Sequence, residues 1–82
     1  MSIFEEIENF DKQPVSMIIY NLIKWYMVDK IEMETYSRPE VESGVWIQLR
    51  ITVKEKSWYV EGQRLDIVKR RLIDWFERNL KH

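Results

Sequence analysis

Along residues 45–53 every second side chain is aliphatic, and this alternation constrains the fold more than any other feature of the sequence. The aliphatic positions are Val45, Ile47, Leu49, Ile51 and Val53. The positions between them carry Trp46, Gln48, Arg50 and Thr52. Successive side chains of a β-strand point to opposite faces of the sheet. The segment therefore predicts a strand with one face in a core and the other toward solvent, as is common in antiparallel sheets.

Helical periodicity flanks this strand on both sides. Before it, apolar residues recur at positions 15, 18, 19, 22, 25 and 26, and Pro14 suits the first position of a helix. After it, residues 63–80 carry an inner stripe that comprises Leu65, Val68, Leu72, Trp75, Phe76 and Leu80. Two further strands are predicted at residues 31–36 and 58–61, with a chain reversal at residues 55–57.

An acidic segment precedes this pattern. The spacing of Ser2 and Glu5 fits a capping box, which predicts the start of a short helix that ends before Pro14. We therefore predict a short acidic N-terminal helix in residues 1–12 and one domain in residues 13–82. The predicted order is α-α-β-β-β-α. It defines an α+β fold in which the helices pack on one face of a three-stranded antiparallel sheet.

The residue inventory excludes several kinds of functional site. The chain has no cysteine and only His82 as a histidine, so it offers neither a thiolate metal site nor a nucleophile activated by cysteine or histidine. Its two glycines are too few for a phosphate-binding loop. We expect no enzymatic activity, cofactor, metal or small-molecule substrate. We also expect no membrane segment or targeting signal, and hence an intracellular, soluble protein of the cytoplasm or nucleus.

The order and spacing of these elements resemble a double-stranded-RNA-binding domain, from residue 14 to about residue 80. That family folds as α-β-β-β-α, and its first helix starts with a proline, as residues 14–18 (PVSMI) do. Its second strand alternates as residues 47–53 do, and its last helix follows a glycine, here Gly62. The resemblance implies this fold and, with it, contact to duplex RNA through its shape.

The positions that contact RNA in that family differ here. The lysine-rich KKxAK motif that opens the family's last helix is reduced to Lys69, and Leu72 and Ile73 replace the pair of alanines that follows. The loop that enters the minor groove, GPxH in the family, is EVES at residues 40–43, and its two carboxylates oppose phosphate binding. The basic residues left to bind RNA are Arg64, Lys69, Arg70 and Arg71.

Three surfaces are candidates for protein contact. The outer sheet face combines Trp46 with Arg50, a mixture typical of protein interfaces, although such aromatics can also stack on single-stranded bases. The third strand and last helix contribute Trp58 and Ile67. The resemblance implies that two copies pair there, as degenerate members of the family do. On the outer side of the first long helix lie Met17, Tyr20 and Met27. They form a docking surface or are covered by the N-terminal helix.

Three functional hypotheses follow. The leading one is a non-catalytic module that works through protein–protein contact, as a homodimer or docked on a component of an RNA-processing or RNA-silencing machine. The alternative is weak, sequence-independent binding of double-stranded RNA through the four basic residues. The third is a small inhibitor, for instance viral, of a nucleic-acid-handling protein. Its acidic patches, which would mimic nucleic acid, comprise Glu5, Glu6, Glu8, Glu40 and Glu42.

Overall fold

The structure is a computed structural model that describes residues 9–80. Its elements are α1 (Val15–Trp25), β1 (Lys30–Ser37), β2 (Val45–Val53), β3 (Lys56–Gly62) and α2 (Leu65–Asn79). The predicted α+β class is thereby confirmed. The helix predicted in residues 1–12 lies largely outside the described residues. Its last part, Phe10–Lys12, forms a 3-10 turn.

The three strands form one antiparallel sheet in the order β1-β2-β3. In the central strand, Leu49 lies opposite Met33 of β1 and Val60 of β3. Side chains alternate along a strand, so Leu49, Ile51 and Val60 point to the same face, and this face meets both helices in the core. The core residues are Phe10, Val15, Ile18, Leu22, Val28, Leu49, Ile51, Val60, Val68, Leu72, Ile73, Trp75 and Phe76.

Backbone conformation at two residues determines where α1 begins and ends. Pro14 was predicted to be the first residue of the helix but lies one position before it, with φ −68° and ψ 159°. At the other end, Met27 takes a left-handed conformation with φ 60°, and the N–H of Val28 donates to the Leu22 carbonyl at 3.2 Å. A left-handed residue commonly ends a helix, but that residue is usually glycine.

A tight turn joins β2 to β3. Val53 pairs with Lys56, so the turn consists of Lys54 and Glu55 and comes earlier than the predicted reversal. Lys54 has a φ of 56°, and its backbone N–H donates to Oδ2 of Asp29 at 2.6 Å. As a result β3 begins at Lys56 rather than at Trp58. The strand that forms the edge of the sheet is therefore longer than predicted.

Aromatic contacts attach the 3-10 turn to α2. The ring of Phe10 packs edge-to-face on Phe76, with 5.0 Å between centroids. Tyr26, just after α1, contacts the same Phe76 ring at 4.8 Å. Both Phe10 and Phe76 are buried. The segment that precedes α1 is thus part of the core.

The predicted burial of some helix residues is wrong. Leu65 is 47% exposed because it is the first residue of α2, whereas Val68, one turn later, is fully buried. Trp25, the last residue of α1, is also exposed. Conversely, Ile67 was predicted to lie off the inner stripe but is half-buried, because it packs on Gly62. A Cβ atom on Gly62 would lie 2.8 Å from Cγ2 of Ile67.

Candidate protein interface

The outer edge of β3 has no partner strand within residues 9–80. In an antiparallel ladder, residues alternate between those whose backbone groups face the partner strand and those whose groups face away. The Glu61 carbonyl faces away from β2, since it accepts a hydrogen bond from Nη1 of Arg71 at 2.8 Å. By the alternation, the backbone groups of Tyr59 and Ser57 also face away from β2. β3 therefore presents an edge to which another strand can pair.

A groove of about 440 Å³ runs between this edge and α2. Its lining includes Trp58 and Trp75, whose rings meet edge-to-face with centroids 5.5 Å apart. Apart from Val60, the rest of the lining is polar or charged, namely Tyr59, Glu61, Arg71, Asp74, Arg78 and Asn79. Aromatic residues and arginine are enriched in protein interfaces, so the composition of this groove suits protein contact.

The outer face of the sheet carries a hydrogen-bonded cluster centred on Glu61, which we call the outer-face cluster. Trp46 Nε1 and Gln48 Nε2 both donate to Oε1 of Glu61, at 3.1 and 2.8 Å. These two hydrogen bonds lower the pKa of Glu61 below its usual 4.5. The charges of Arg38 and Arg71 act in the same direction, and burial acts against it.

Arg38 and Tyr36 extend the outer-face cluster. The Arg38 guanidinium lies over the Trp46 ring, 4.5 Å from its centroid. The Tyr36 hydroxyl is 2.7 Å from Oε2 of Glu34, to which it donates, and 3.2 Å from Oε1 of Gln48. The hydrogen bond to Glu34 raises the pKa of Tyr36 above its usual 10.0. Trp46 and Tyr36 are therefore held in defined orientations on the outer face.

Two of the four basic residues predicted to contact RNA bind the 3-10 turn. Lys69 Nζ donates to the backbone carbonyl of Asp11 at 2.8 Å. Arg70 Nη1 lies 3.3 Å from the Asp11 carboxylate. Both the arginine and the aspartate are largely exposed, and such pairs contribute under about 1 kcal/mol. These contacts connect α2 to the segment before α1.

The other two basic residues also have partners within the described chain. Arg64 Nε lies 3.2 Å from the carboxylate of Asp66, and Arg71 holds the Glu61 carbonyl on the edge of β3. All four thus have partners within the described residues, on the 3-10 turn, on β3 or at the start of α2. RNA contact by these residues stays a prediction.

Met17 and Tyr20 are exposed on the outer side of α1, as the spacing predicted, whereas Met27 is exposed beyond the end of α1 and not on the helix. Met27 is 83% exposed. Lys24 lies beside Tyr20, with its Nζ 3.0 Å from the hydroxyl oxygen. The N-terminal helix predicted to cover this side lies outside the described residues.

The predicted interface residues of the sheet and α2 lie on different surfaces. Trp46 and Arg50 share the outer face, whereas Trp58 points to the opposite face, toward Trp75 of α2. Ile67 lies on α2 beside Gly62.

Two members of the outer-face cluster, Tyr36 and Arg38, were not predicted from the sequence. Tyr36 follows the alternation of β1, which places it on the same face as Glu34, so periodicity could have revealed it. Arg38 lies beyond the end of β1, where no periodicity extends.

Among residues 9–80, no three His, Cys, Asp or Glu side chains come together in a way that could hold a metal ion. No helix in this part of the chain is long and apolar enough to cross a membrane. No family model, characterised protein or solved structure matches the chain. The resemblance to a double-stranded-RNA-binding domain therefore stays a prediction.

Proposed function

We propose that this chain is a non-catalytic protein-interaction module that dimerises when the β3 strand of a second copy adds to its own β3. The observation that carries the proposal is the free edge of β3. The backbone groups of Ser57 and Tyr59 face away from β2, and no other strand within residues 9–80 pairs with them. Proteins usually protect such edges with charge, proline or a covering segment. Here Arg71 covers only the Glu61 carbonyl.

The β3 sequence suits antiparallel pairing with itself. With a two-fold axis at Tyr59, this residue exchanges both backbone hydrogen bonds with its equivalent in the second copy. Ser57 then lies opposite Glu61 of the second copy, and Trp58 lies opposite Val60. An aromatic side chain opposite a β-branched one stabilises a sheet by roughly 0.2–1 kcal/mol. Pairing would also extend the groove that Trp58 and Trp75 line.

The other edge of the sheet is less suited to self-pairing. The N–H of Arg38 donates to the Gly44 carbonyl, so by alternation Thr35, Met33 and Ile31 have outward backbone groups on β1. A two-fold axis at Met33 would place Glu32 directly opposite Glu34 of the second copy. Like charges in that position destabilise a strand pair. Since β3 pairs with itself without opposing like charges, it is better suited than β1 to be the dimer edge.

Tyr59→Pro tests the proposal, with Thr35→Pro as the matched control. Each proline removes an N–H that no strand within residues 9–80 accepts, so both variants are compatible with an edge position. We expect light scattering to give the mass of a dimer for the wild type and for T35P, and the mass of one chain for Y59P. Circular dichroism checks that each variant is folded.

A second variant covers the case in which Y59P does not fold. Tyr59 is 54% exposed, so Tyr59→Lys should preserve the fold. The two lysines would lie directly opposite each other across the axis and repel. A folded Y59K that remains a dimer, or a wild type that is monomeric at the highest concentration reached, would overturn the proposal.

Duplex RNA is titrated into the same samples at low and moderate salt. Binding that weakens steeply with salt and is lost in Lys69→Glu with Arg71→Glu, together with a monomeric wild type, would replace dimerisation by RNA binding as the function. If a dimeric wild type binds no RNA, the protein-interaction proposal stands.

A further inference from the structure

We propose that a second surface, at the end of the β2–β3 hairpin, binds a segment of a partner protein that carries both acidic and apolar side chains. This surface is a groove of about 660 Å³ between the hairpin and the C-terminal end of α2, and we call it the hairpin groove. Its volume lies within the range of about 300–1,000 Å³ that is typical of ligand pockets. Its apolar lining comprises Val53, Trp58, Trp75 and Leu80. Lys54 and Lys56 also line it.

The apolar lining has a defined shape. Trp58 and Trp75 meet edge-to-face at an interplanar angle of 65°, and Trp58 remains half-buried rather than covered. Leu80 and Val53 are also half-buried, and both pack against the core. Aromatic side chains with a fixed orientation lose little conformational entropy on binding, so they serve as anchors for apolar groups of a partner.

Trp75 has a hydrogen-bond donor without a partner. The side chain is 6% exposed, and its Nε1 atom is buried with no acceptor within the described residues. A buried indole N–H is normally paired, because leaving it unpaired costs free energy. Because the Nε1 atom has almost no accessible surface, a ligand in the hairpin groove does not reach it unless the surrounding side chains move.

The charge of the hairpin groove indicates the sign of the ligand. The side chains of Lys54 and Lys56 form no ion pair or hydrogen bond within residues 9–80, and Glu55 is the only carboxylate among the lining residues. Asp29 fixes the turn by accepting the Lys54 N–H. Lys54 also has a positive φ, which glycine or asparagine would adopt more easily. The turn thus presents a lysine at a backbone position that disfavours it.

These features together favour an acidic protein segment over nucleic acid. A phosphate backbone is bound by an extended set of cations, whereas the hairpin groove joins two lysines to an apolar lining. Apolar side chains with neighbouring carboxylates match both parts. The inference does not rest on dimerisation, since Lys54 and Lys56 lie in the turn and at the start of β3, although Trp58 lines the hairpin groove and also faces Val60 in the proposed dimer. Failure of one proposal is therefore distinguishable from failure of the other.

The test uses a short capped peptide of Glu, Leu and Phe, and a matched peptide with Lys in place of each Glu. Each is titrated into the full chain while tryptophan fluorescence is followed. We expect saturable binding of the acidic peptide and binding of the basic peptide that is weaker by about tenfold or more. Lys54→Glu with Lys56→Glu should weaken the acidic peptide to the same extent. Lys12→Glu with Arg64→Glu serves as the control, because Lys12 lies in the 3-10 turn and Arg64 at the start of α2, whereas the hairpin groove lies at the end of α2.

Several outcomes would overturn the inference. Equal affinity for both peptides, or undiminished binding by K54E/K56E, would show that the lysines do not select the ligand. Displacement of the acidic peptide by an equal concentration of duplex RNA would assign the surface to nucleic acid. If no peptide binds and Ile3→Asp with Phe4→Asp increases quenching of the tryptophans by acrylamide, the chain's own N-terminal segment occupies the groove. Binding of the acidic peptide that persists in Y59P, by contrast, supports the inference, because it shows that this site acts apart from the dimer edge.

Discussion

Met27 and Lys54 hold the left-handed backbone conformation that L-residues with a side chain rarely adopt, with φ of 60° and 56°. Each occupies a position where the chain must change direction. Met27 ends α1, and Lys54 forms the turn between β2 and β3. Strained residues of this kind cost roughly 1 kcal/mol or more, and they persist where the surrounding structure requires them. Both strained residues therefore carry exposed side chains, and each of these side chains belongs to a candidate contact surface.

Replacement of Met27 by glycine should stabilise the protein. Glycine adopts a positive φ without steric cost, and the Met27 side chain makes little contact because it is 83% exposed. We expect Met27→Gly to raise the free energy of unfolding by about 1 kcal/mol, measured by urea denaturation. Met17→Gly, at an exposed position inside α1, is the control and should lower it by about 1 kcal/mol. Equal effects of the two substitutions would contradict the strain at Met27.

At the scale of elements, cross-strand hydrogen bonds organise the outer face of the sheet. The register places Gln48 directly opposite Glu61, and Trp46 reaches the same carboxylate. Because both donors stabilise the ionised carboxylate, the folded state holds the pKa of Glu61 below 4.5. A carboxyl group whose pKa is lower in the folded state stabilises the protein above its unfolded pKa. This stabilisation is lost as the pH falls through the folded pKa.

Trp46→Phe should raise the pKa of Glu61 toward 4.5, because the indole N–H makes the largest contribution to its lowering. The variant should also show a smaller loss of stability on acidification below this pH, as the linkage requires. Carbon NMR titration of the Glu61 carboxyl measures the pKa, and urea denaturation at several pH values measures the stability. Trp58→Phe changes an indole on the other face and should leave the Glu61 pKa unchanged. If both variants shift it equally, the hydrogen bond is not the cause.

At the scale of the whole molecule, one small core supports two candidate contact surfaces. A chain of 82 residues buries a limited fraction of its surface, so its stability is modest. An interface with a second copy would add to that stability by mass action, because only folded chains form the dimer. The proposed dimerisation through β3 therefore predicts an effect on unfolding as well as on mass.

The midpoint of thermal unfolding should rise with protein concentration in the wild type, because unfolding of a dimer releases two chains. Y59P should unfold at a midpoint that does not depend on concentration, and T35P should behave like the wild type. Calorimetry over a wide concentration range measures this dependence. A wild-type midpoint that stays constant would count against a stable dimer, even if light scattering detected association.

Periodicity predicted the type and order of α1, the three strands and α2, and the two faces of β2, whereas Phe10–Lys12 is a 3-10 turn and not part of an α-helix. It succeeds because side-chain direction in a helix or strand depends on near neighbours along the chain. It was less accurate at the ends, where Leu65 lies exposed and the hairpin turn begins at Lys54. At the end of an element the apolar periodicity continues in the sequence, but the neighbouring elements that would bury those residues are no longer beside it.

Contacts between distant residues required the tertiary structure. Lys69 binds Asp11 across 58 residues of sequence, and Arg71 binds the carbonyl of Glu61 on β3. No local pattern encodes such pairs, because they depend on how α2 crosses the sheet and where the 3-10 turn is anchored. The candidate basic residues could therefore be found from the sequence, but their partners could not. The same reason explains why Trp58 and Trp46, both predicted at an interface, lie on opposite faces of one sheet.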